Sequence, residues 1–202
     1  MNEHRVWQRF LSGRRLDLAN PSPFDFEDTD LALGLSRVAR WNGATKGEFA
    51  YSVAQHSLDV LAEIRRATPA SRLSIKLELA TLLHDGAEGL LGMDVITPLK
   101  PVLGADWRRL EDGVQRAIHL RYGLAYPLPP DMAKRIKKAD RALATTEAVQ
   151  LVGLTLVEAR DPTTFGMVEP PLERILTPWP AKRAETEFLA ELRRLAGYAG
   201  VG

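Results

Sequence analysis

The chain contains no cysteine, which excludes a disulfide-stapled scaffold, a thiolate zinc site and a cysteine nucleophile. The absence is also compatible with a reducing cytosol. An excess of one charge is lacking as well, because 27 lysines and arginines stand against 26 aspartates and glutamates, which gives a net charge of +1. This balance argues against a partner that is a nucleic-acid polymer bound through bulk charge.

Long apolar runs are absent too. Charged residues or glycines interrupt each apolar stretch within about a dozen residues, whereas a membrane-spanning helix needs about 20. The first fifteen residues have no apolar core of the signal-peptide kind, so we expect a cytoplasmic protein with no membrane partner. With 45% hydrophobic and 26% charged residues, the 202-residue chain can bury the core of one domain.

The apolar residues that are present recur at helical spacing, and alternating strand-like runs are few. We therefore expect an all-α fold. Residues 1–27 are expected to form an irregular arm, because Pro21 and Pro23 oppose a helix there. Residues 28–160 are expected to form the helical core, and residues 161–202 a loop and a C-terminal helix that packs on it. The predicted helices span 28–40, 52–68, 71–88, 105–122, 130–160 and 181–197; Asp28 is the expected N-cap of the first, and Ser52 and Gln55 match a capping box at the start of the second.

Polar side chains interrupt the predicted amphipathic helices at four positions, His56, His84, Asp85 and Asp140. An imidazole or a carboxylate on a core-facing side is costly to bury unless it is paired or bound to a metal. Asp140 shares a helical face with positions 136, 139, 143 and 147, and residues 136, 139 and 143 make that face apolar. Each group taken alone is compatible with an ordinary core or surface role, but their combination on three helices predicts a metal site.

Two imidazoles and two carboxylates form a mixed nitrogen and oxygen ligand set that suits Mn, Fe, Co, Ni or Zn. Four ligands leave open positions for water, as a catalytic site requires. The other histidines, His4 and His119, are too few and too oddly placed to supply a second metal, and His119 is expected to be structural. We therefore expect one divalent transition metal ion.

Ordered motifs around these residues resemble the HD-domain metal-dependent phosphohydrolase superfamily. Within it, the chain is similar to bacterial 5′-deoxynucleotidases of the YfbR type and their prophage relatives over about residues 12–150. The motifs are Arg40-Trp41-Asn42-Gly43, residues 51–58 around His56, Leu83-His84-Asp85-Gly86-Ala87-Glu88, residues 92–100, and Lys138-Ala139-Asp140. Two departures concern the substrate loop: Met93 separates Gly92 from Asp94, and Gly86 and Gly89 replace larger residues.

The resemblance implies an HD-domain helical bundle in which His56, His84, Asp85 and Asp140 bind one divalent metal ion. It implies that Glu88 is the general acid or base, that Arg40 and Trp41 contact a nucleotide substrate, and that Asp94 and Thr97 meet the sugar 3′-hydroxyl; Lys100 is a further candidate cation for the phosphate. The expected reaction releases phosphate from a deoxyribonucleoside 5′-monophosphate.

Alternatives to this reaction stay open. They are a nucleoside triphosphohydrolase, a hydrolase of another small phosphate ester, and a helical interaction module without catalysis. A hydrolase of ppGpp-type signalling nucleotides is disfavoured, because the paired Glu-Asp that follows His-Asp in that group is absent here. The oligomeric state is also open, with a homodimer as one candidate.

Overall fold

Helices make up most of the structure, a computed structural model that describes residues 6–96 and 99–200. The expected all-α class is confirmed. The helices are α1 Asp28–Arg37, α2 Val53–Ala67, α3 Ile75–Leu82, α4 Gly86–Leu91, α5 Lys100–Arg121, α6 Pro130–Glu147, α7 Leu156–Arg160 and α8 Ala181–Ala199. Within the described ranges, no helix is both long enough and apolar enough to cross a membrane.

The N-terminal arm contains a short hairpin that the sequence analysis did not predict. Strands β1 (Trp7–Arg9) and β2 (Arg15–Asp17) pair antiparallel, with Gln8 opposite Leu16. Leu16 is fully buried in the core. The Gln8 amide donates to the Leu90 carbonyl at 3.1 Å. The arm is therefore attached to the helical core rather than loose.

The start of α2 confirms half of the predicted capping box. The Ser52 side chain accepts a hydrogen bond from the Gln55 backbone amide at 3.2 Å. The Gln55 side chain does not return to Ser52: it donates to the Thr177 carbonyl at 2.9 Å and accepts from the Trp179 amide at 2.9 Å. Gln55 thereby joins the segment before α8 to the start of α2.

The predicted continuous helix over 71–88 is wrong, because the chain breaks between α3 and α4. Residues 83–85, the α3–α4 connection, contain His84 and Asp85. The break leaves backbone groups without helical partners, and Gln115 of α5 satisfies them. Its amide donates to the Leu83 carbonyl at 2.7 Å and accepts from the Ala87 amide at 2.9 Å. A side chain from a distant helix thus supports a break that local sequence does not reveal.

The predicted helix over 130–160 is wrong as well. Helix α6 ends at Glu147, a π-helical turn follows over Ala148–Val152, and Gly153 adopts a left-handed conformation with φ of 88°. That conformation favours glycine and ends the helix. Other boundaries differ less: Glu27 rather than Asp28 is the N-cap of α1, which stops at Arg37. Helix α5 begins before residue 105 and is kinked at Gly104.

Helices α1 and α4 approach closely because both carry glycine at their contact. A Cβ atom on Gly34 would lie 2.0 Å from the Gly89 carbonyl oxygen. A Cβ on Gly89 would lie 2.5 Å from Leu35 Cγ and 2.8 Å from the Leu35 backbone nitrogen. The crossing fixes the place of α4, which carries Glu88. Helix α1 also packs on α2 and α8, while α2 packs on α3 and α6.

Candidate metal centre

Three predicted ligands from three separate parts of the chain meet in the core. His56 lies on α2, His84 in the α3–α4 connection and Asp140 on α6. One ligand atom of each lies within 4.8 Å of the others, so the group could hold a metal ion. The Asp140 Oδ1 atom is 3.3 Å from His56 Nε2 and 4.0 Å from His84 Nε2.

Asp85, the fourth predicted ligand, lies at the edge of this group. Its Oδ2 atom is 3.3 Å from His84 Nε2 and 3.6 Å from His56 Nε2. The break between α3 and α4 places His84 and Asp85 in the same turn, so that both side chains face the centre. The structure thus brings all four residues together.

Hydrogen bonds fix the orientation of both imidazole rings. His84 Nδ1–H donates to the Thr81 carbonyl at 2.8 Å, and His56 Nδ1–H donates to Glu147 Oε1 at 2.5 Å. A carbonyl oxygen only accepts, so the proton of neutral His84 is on Nδ1. In the neutral form of each ring, this hydrogen bond leaves Nε2 facing the centre with its lone pair free, which is the arrangement of a metal-binding histidine.

Both Nε2 atoms are buried and have no hydrogen-bond partner among the described residues. A buried polar atom without a partner carries an unfavourable desolvation free energy. A divalent metal ion would satisfy both nitrogens and the neighbouring carboxylates at once. The residues present therefore fit a metal ion.

The electrostatics of the centre favour a cation. Burial and the Arg40 guanidinium act to lower the pKa of His56, but the Glu147 and Asp140 carboxylates raise it overall to about 9. Burial acts to raise the pKa of Asp140, but the His56 and His84 imidazoles lower it well below its usual range. The surroundings thus stabilise positive charge beside an ionised carboxylate.

Glu88, the predicted general acid or base, is buried on α4, and its Oε2 atom has no hydrogen-bond partner within the described part of the chain. Burial, and then the Asp85 and Asp94 carboxylates, raise the pKa of Glu88 well above its ordinary value. It lines a cavity of about 400 Å³ together with His84 and Asp85. The carboxyl group is therefore placed to hold a proton beside the centre.

Arg40 and Trp41 lie beside the same centre, in a 3-10 turn over Arg40–Gly43. The Arg40 Nη1 atom is 3.7 Å from Asp85 Oδ2 and 3.9 Å from Asp94 Oδ2. The Trp41 ring contacts the Phe165 ring edge to face, with 5.7 Å between the ring centroids. The structure thus places Arg40, Trp41 and Asp94 at the candidate centre.

Lys100 lines the 400 Å³ cavity next to Glu88, and its ammonium group is 3.2 Å from Glu111 Oε1. Thr97 lies outside the described residues. His119 is not in the centre: its Nδ1–H donates to the Ala125 carbonyl at 3.1 Å, and its Nε2 is 3.0 Å from the Gln115 amide nitrogen. These contacts match the structural role expected for His119.

Glu147 is the residue at the centre that sequence analysis missed. It is fully buried, and its Oε2 atom accepts from Arg40 Nε–H at 3.1 Å and from Trp41 Nε1–H at 2.8 Å. The signal was the spacing, since residue 147 shares the helical face of Asp140 seven residues earlier. A glutamate on the same apolar face as Asp140 is likewise costly to bury without partners.

The chain is 48% identical over 170 residues to an uncharacterized protein of Rhodobacter capsulatus, and the match covers 84% of each chain. No protein-family model matches the chain.

Proposed function

We propose a function from the site itself, because the chain belongs to one family with the uncharacterized Rhodobacter capsulatus protein, whose name carries no activity. The function is that of a metal-dependent phosphohydrolase of the HD type, which releases phosphate from deoxyribonucleoside 5′-monophosphates. One observation carries it. Two buried imidazole nitrogens converge with Asp140 beside Glu88, and neither nitrogen, nor the Oε2 atom of Glu88, has a hydrogen-bond partner in the described part of the chain.

The ligands in this proposal are His56, His84, Asp85 and Asp140, and the ion is a divalent transition metal such as Mn, Co, Fe, Ni or Zn. The chemistry that such an ion supplies is neutralisation of phosphoryl charge and acidification of water. The protein's own part is to keep the Nε2 lone pairs free, which the Thr81 carbonyl and the Glu147 carboxylate do by accepting from the Nδ1–H groups.

Glu88 supplies the proton that the leaving 5′-oxygen takes up. Burial, and then two neighbouring carboxylates, raise the pKa of Glu88, which favours its protonated form. Water adds to phosphorus, the bond from phosphorus to the 5′-oxygen breaks, and Glu88 protonates that oxygen as it leaves. A proton from the attacking water then restores Glu88, which is the general acid and base pattern.

Arg40 binds the phosphate in this proposal. Glu147 holds its Nε at 3.1 Å, while its Nη1 faces Asp85 and Asp94 from 3.7 and 3.9 Å. A guanidinium held at one end presents its remaining N–H groups in a fixed plane that suits phosphate. In this proposal Asp94, beside it, accepts a hydrogen bond from a sugar hydroxyl.

Trp41 supports the preference for deoxyribose. Its indole is held by Glu147 on one edge and packs against Phe165. A sugar whose 2′ position lies against this ring has no room for a solvated 2′-hydroxyl. An unpaired or displaced hydroxyl costs about 1–3 kcal/mol, or roughly 5- to 150-fold in kcat/KM.

A longer phosphate chain is the second candidate substrate. The cavity that contains Glu88 is also lined by two cationic side chains, Lys100 and Arg108. Glu111, which pairs with Lys100, and Asp112 line the same cavity, so the case for a substrate with more than one phosphate, such as a nucleoside triphosphate, rests chiefly on Arg108.

Phosphate release from a panel of dAMP, AMP, dATP and a simple phosphomonoester, each with Mn²⁺, Co²⁺ or Mg²⁺, tests the proposal. We expect release of phosphate from dAMP in preference to AMP, and its loss in Asp140→Asn. Glu191→Gln, on α8 and paired with Arg65 and Arg194, is the matched control and should leave the rate unchanged. Cleavage of dATP alone indicates the second candidate. No release from any substrate contradicts a phosphohydrolase and leaves the helical interaction module.

A further inference from the structure

A single carboxylate, that of Glu147, joins three functional side chains. It is fully buried at the end of α6. It accepts from His56 Nδ1–H at 2.5 Å, from Trp41 Nε1–H at 2.8 Å and from Arg40 Nε–H at 3.1 Å. Oε1 serves the histidine, and Oε2 serves the arginine and the tryptophan. All three partners are donors, so only an ionised carboxylate satisfies them together.

The backbone on both sides of these contacts is specialised. Trp41 has φ of 57° and Asn42 φ of 52°, a left-handed conformation that residues with side chains rarely adopt. On the other side, the α-helix turns into the π-helical turn Ala148–Val152 directly after Glu147. Such irregularities persist where the surrounding contacts enforce them, and they concentrate at functional sites. Glu147 is the contact that links the two.

We propose that Glu147 is a positioning residue that orients a metal ligand, His56, and the Arg40–Trp41 pair at the same time. The Arg40–Trp41 part rests on the proposed function, in which these two residues contact the nucleotide. Loss of the carboxylate therefore weakens metal binding and substrate discrimination together, although Glu147 contacts neither metal nor nucleotide. The ring of His56 would lose its acceptor, and the indole of Trp41 would lose its anchor.

Glu147→Gln is the sharpest substitution, because it keeps the side-chain volume and replaces one acceptor oxygen by an NH₂ donor. That donor must face at least one of the three N–H groups. We expect the dissociation constant for Mn²⁺ or Co²⁺ to rise by about 10- to 100-fold, the usual effect of losing the partner of a metal-binding histidine. Glu78→Gln is the matched control: Glu78 is equally a buried glutamate in a helix, but it pairs with Arg65 at 2.6 Å away from the centre. Unchanged metal affinity in Glu147→Gln overturns the proposal.

The link to the substrate pair is tested by a double-mutant cycle with Trp41→Phe, which removes the indole N–H. If Glu147 positions Trp41, the change that Trp41→Phe makes in the dAMP over AMP ratio is smaller in the Glu147→Gln background. If the fold-changes of the two single variants simply multiply in the double variant, this part of the proposal is overturned. Circular dichroism confirms that each variant is folded before it is compared.

NMR on the unmodified protein covers the case in which Glu147→Gln does not fold. With ¹⁵N-labelled histidine and tryptophan, His56 Nδ1–H and Trp41 Nε1–H should both appear downfield and resist exchange with solvent, as N–H groups bound to a buried carboxylate do. Rapid exchange of either proton overturns the proposal. Metal affinity and these resonances can be measured without hydrolysis. A protein that shows the expected affinity and resonances but cleaves no nucleotide therefore contradicts only the proposed function.

Discussion

Adding one methyl group where α1 crosses α4 should destabilise the protein, although the same change usually stabilises a helix. In Gly89→Ala, the new Cβ would lie 2.5 Å from Leu35 Cγ and 2.8 Å from the Leu35 backbone nitrogen. The side-chain atom can turn away, but the backbone nitrogen belongs to α1 and cannot. The two helices must therefore separate, and α4 carries Glu88 with it.

The expected change in the free energy of unfolding is the difference between two opposed effects. Extra volume in a packed core costs about 1–3 kcal/mol, and contact with a backbone atom puts Gly89→Ala near the upper end. Replacing glycine by alanine inside a helix contributes about 1 kcal/mol of stabilisation. The net loss of about 2 kcal/mol in the free energy of unfolding lowers Tm by about 4–8 °C in a chain of this length.

Thermal unfolding followed by circular dichroism, without added metal, measures the effect. Gly34→Ala should lower Tm further, because its Cβ would lie 2.0 Å from a carbonyl oxygen. Gly197→Ala is the control, since this exposed position on α8 has no described atom within 4 Å of a new Cβ, and it should raise stability by up to about 1 kcal/mol. A Gly89→Ala protein as stable as the unmodified one refutes the close crossing.

Three further predictions concern the centre. Glu88→Ala should keep its metal and lower kcat by about 10²–10⁴-fold, as loss of a general acid does, and normal turnover would make Glu88 a bystander. Glu88→Gln should raise the stability of metal-free protein near neutral pH by about 1–3 kcal/mol, since it removes a buried ionisable group whose Oε2 atom has no hydrogen-bond partner among the described residues. The pKa of Glu88 is raised in the folded state, so this carboxyl group destabilises the fold only as pH rises above its unfolded pKa of about 4.3. If Glu88→Gln is still more stable than the unmodified protein at more acid pH, the reasoning is contradicted. Trp41→Ala should narrow the preference for dAMP over AMP, and equal kcat/KM for the two nucleotides in the unmodified protein rejects the deoxyribose preference.

The sequence predicted the fold class and the main helices because apolar spacing is a local signal. Prediction failed where the course of the chain depends on distant side chains or on the conformation of a glycine. The break at residues 83–85 depends on Gln115, thirty residues further along, and the end of α6 depends on the π-helical turn and the left-handed Gly153. The β1–β2 hairpin is short, and its buried Leu16 contacts a core that only the folded chain supplies.

At the centre, polar residues on apolar faces were a reliable guide. His56, His84 and Asp140 could be predicted because each interrupts an otherwise apolar helical pattern. The structure brings the three together. Glu147 lies on the same helical face seven residues after Asp140, but its partners Arg40 and Trp41 come from a turn over 100 residues earlier, so its contacts could not be predicted from the sequence. Pairings of this kind follow from tertiary packing alone.

Metal content is the most direct test of the account. Elemental analysis of the purified protein, reconstituted with Mn²⁺ or Co²⁺ and freed of excess ion, should give about one tightly held ion per chain, as a mononuclear catalytic site requires. The His84→Ala variant should hold none, because it loses one of the two buried Nε2 atoms that converge on the centre. Two tightly held ions per chain, or none after reconstitution, would contradict the single-metal centre.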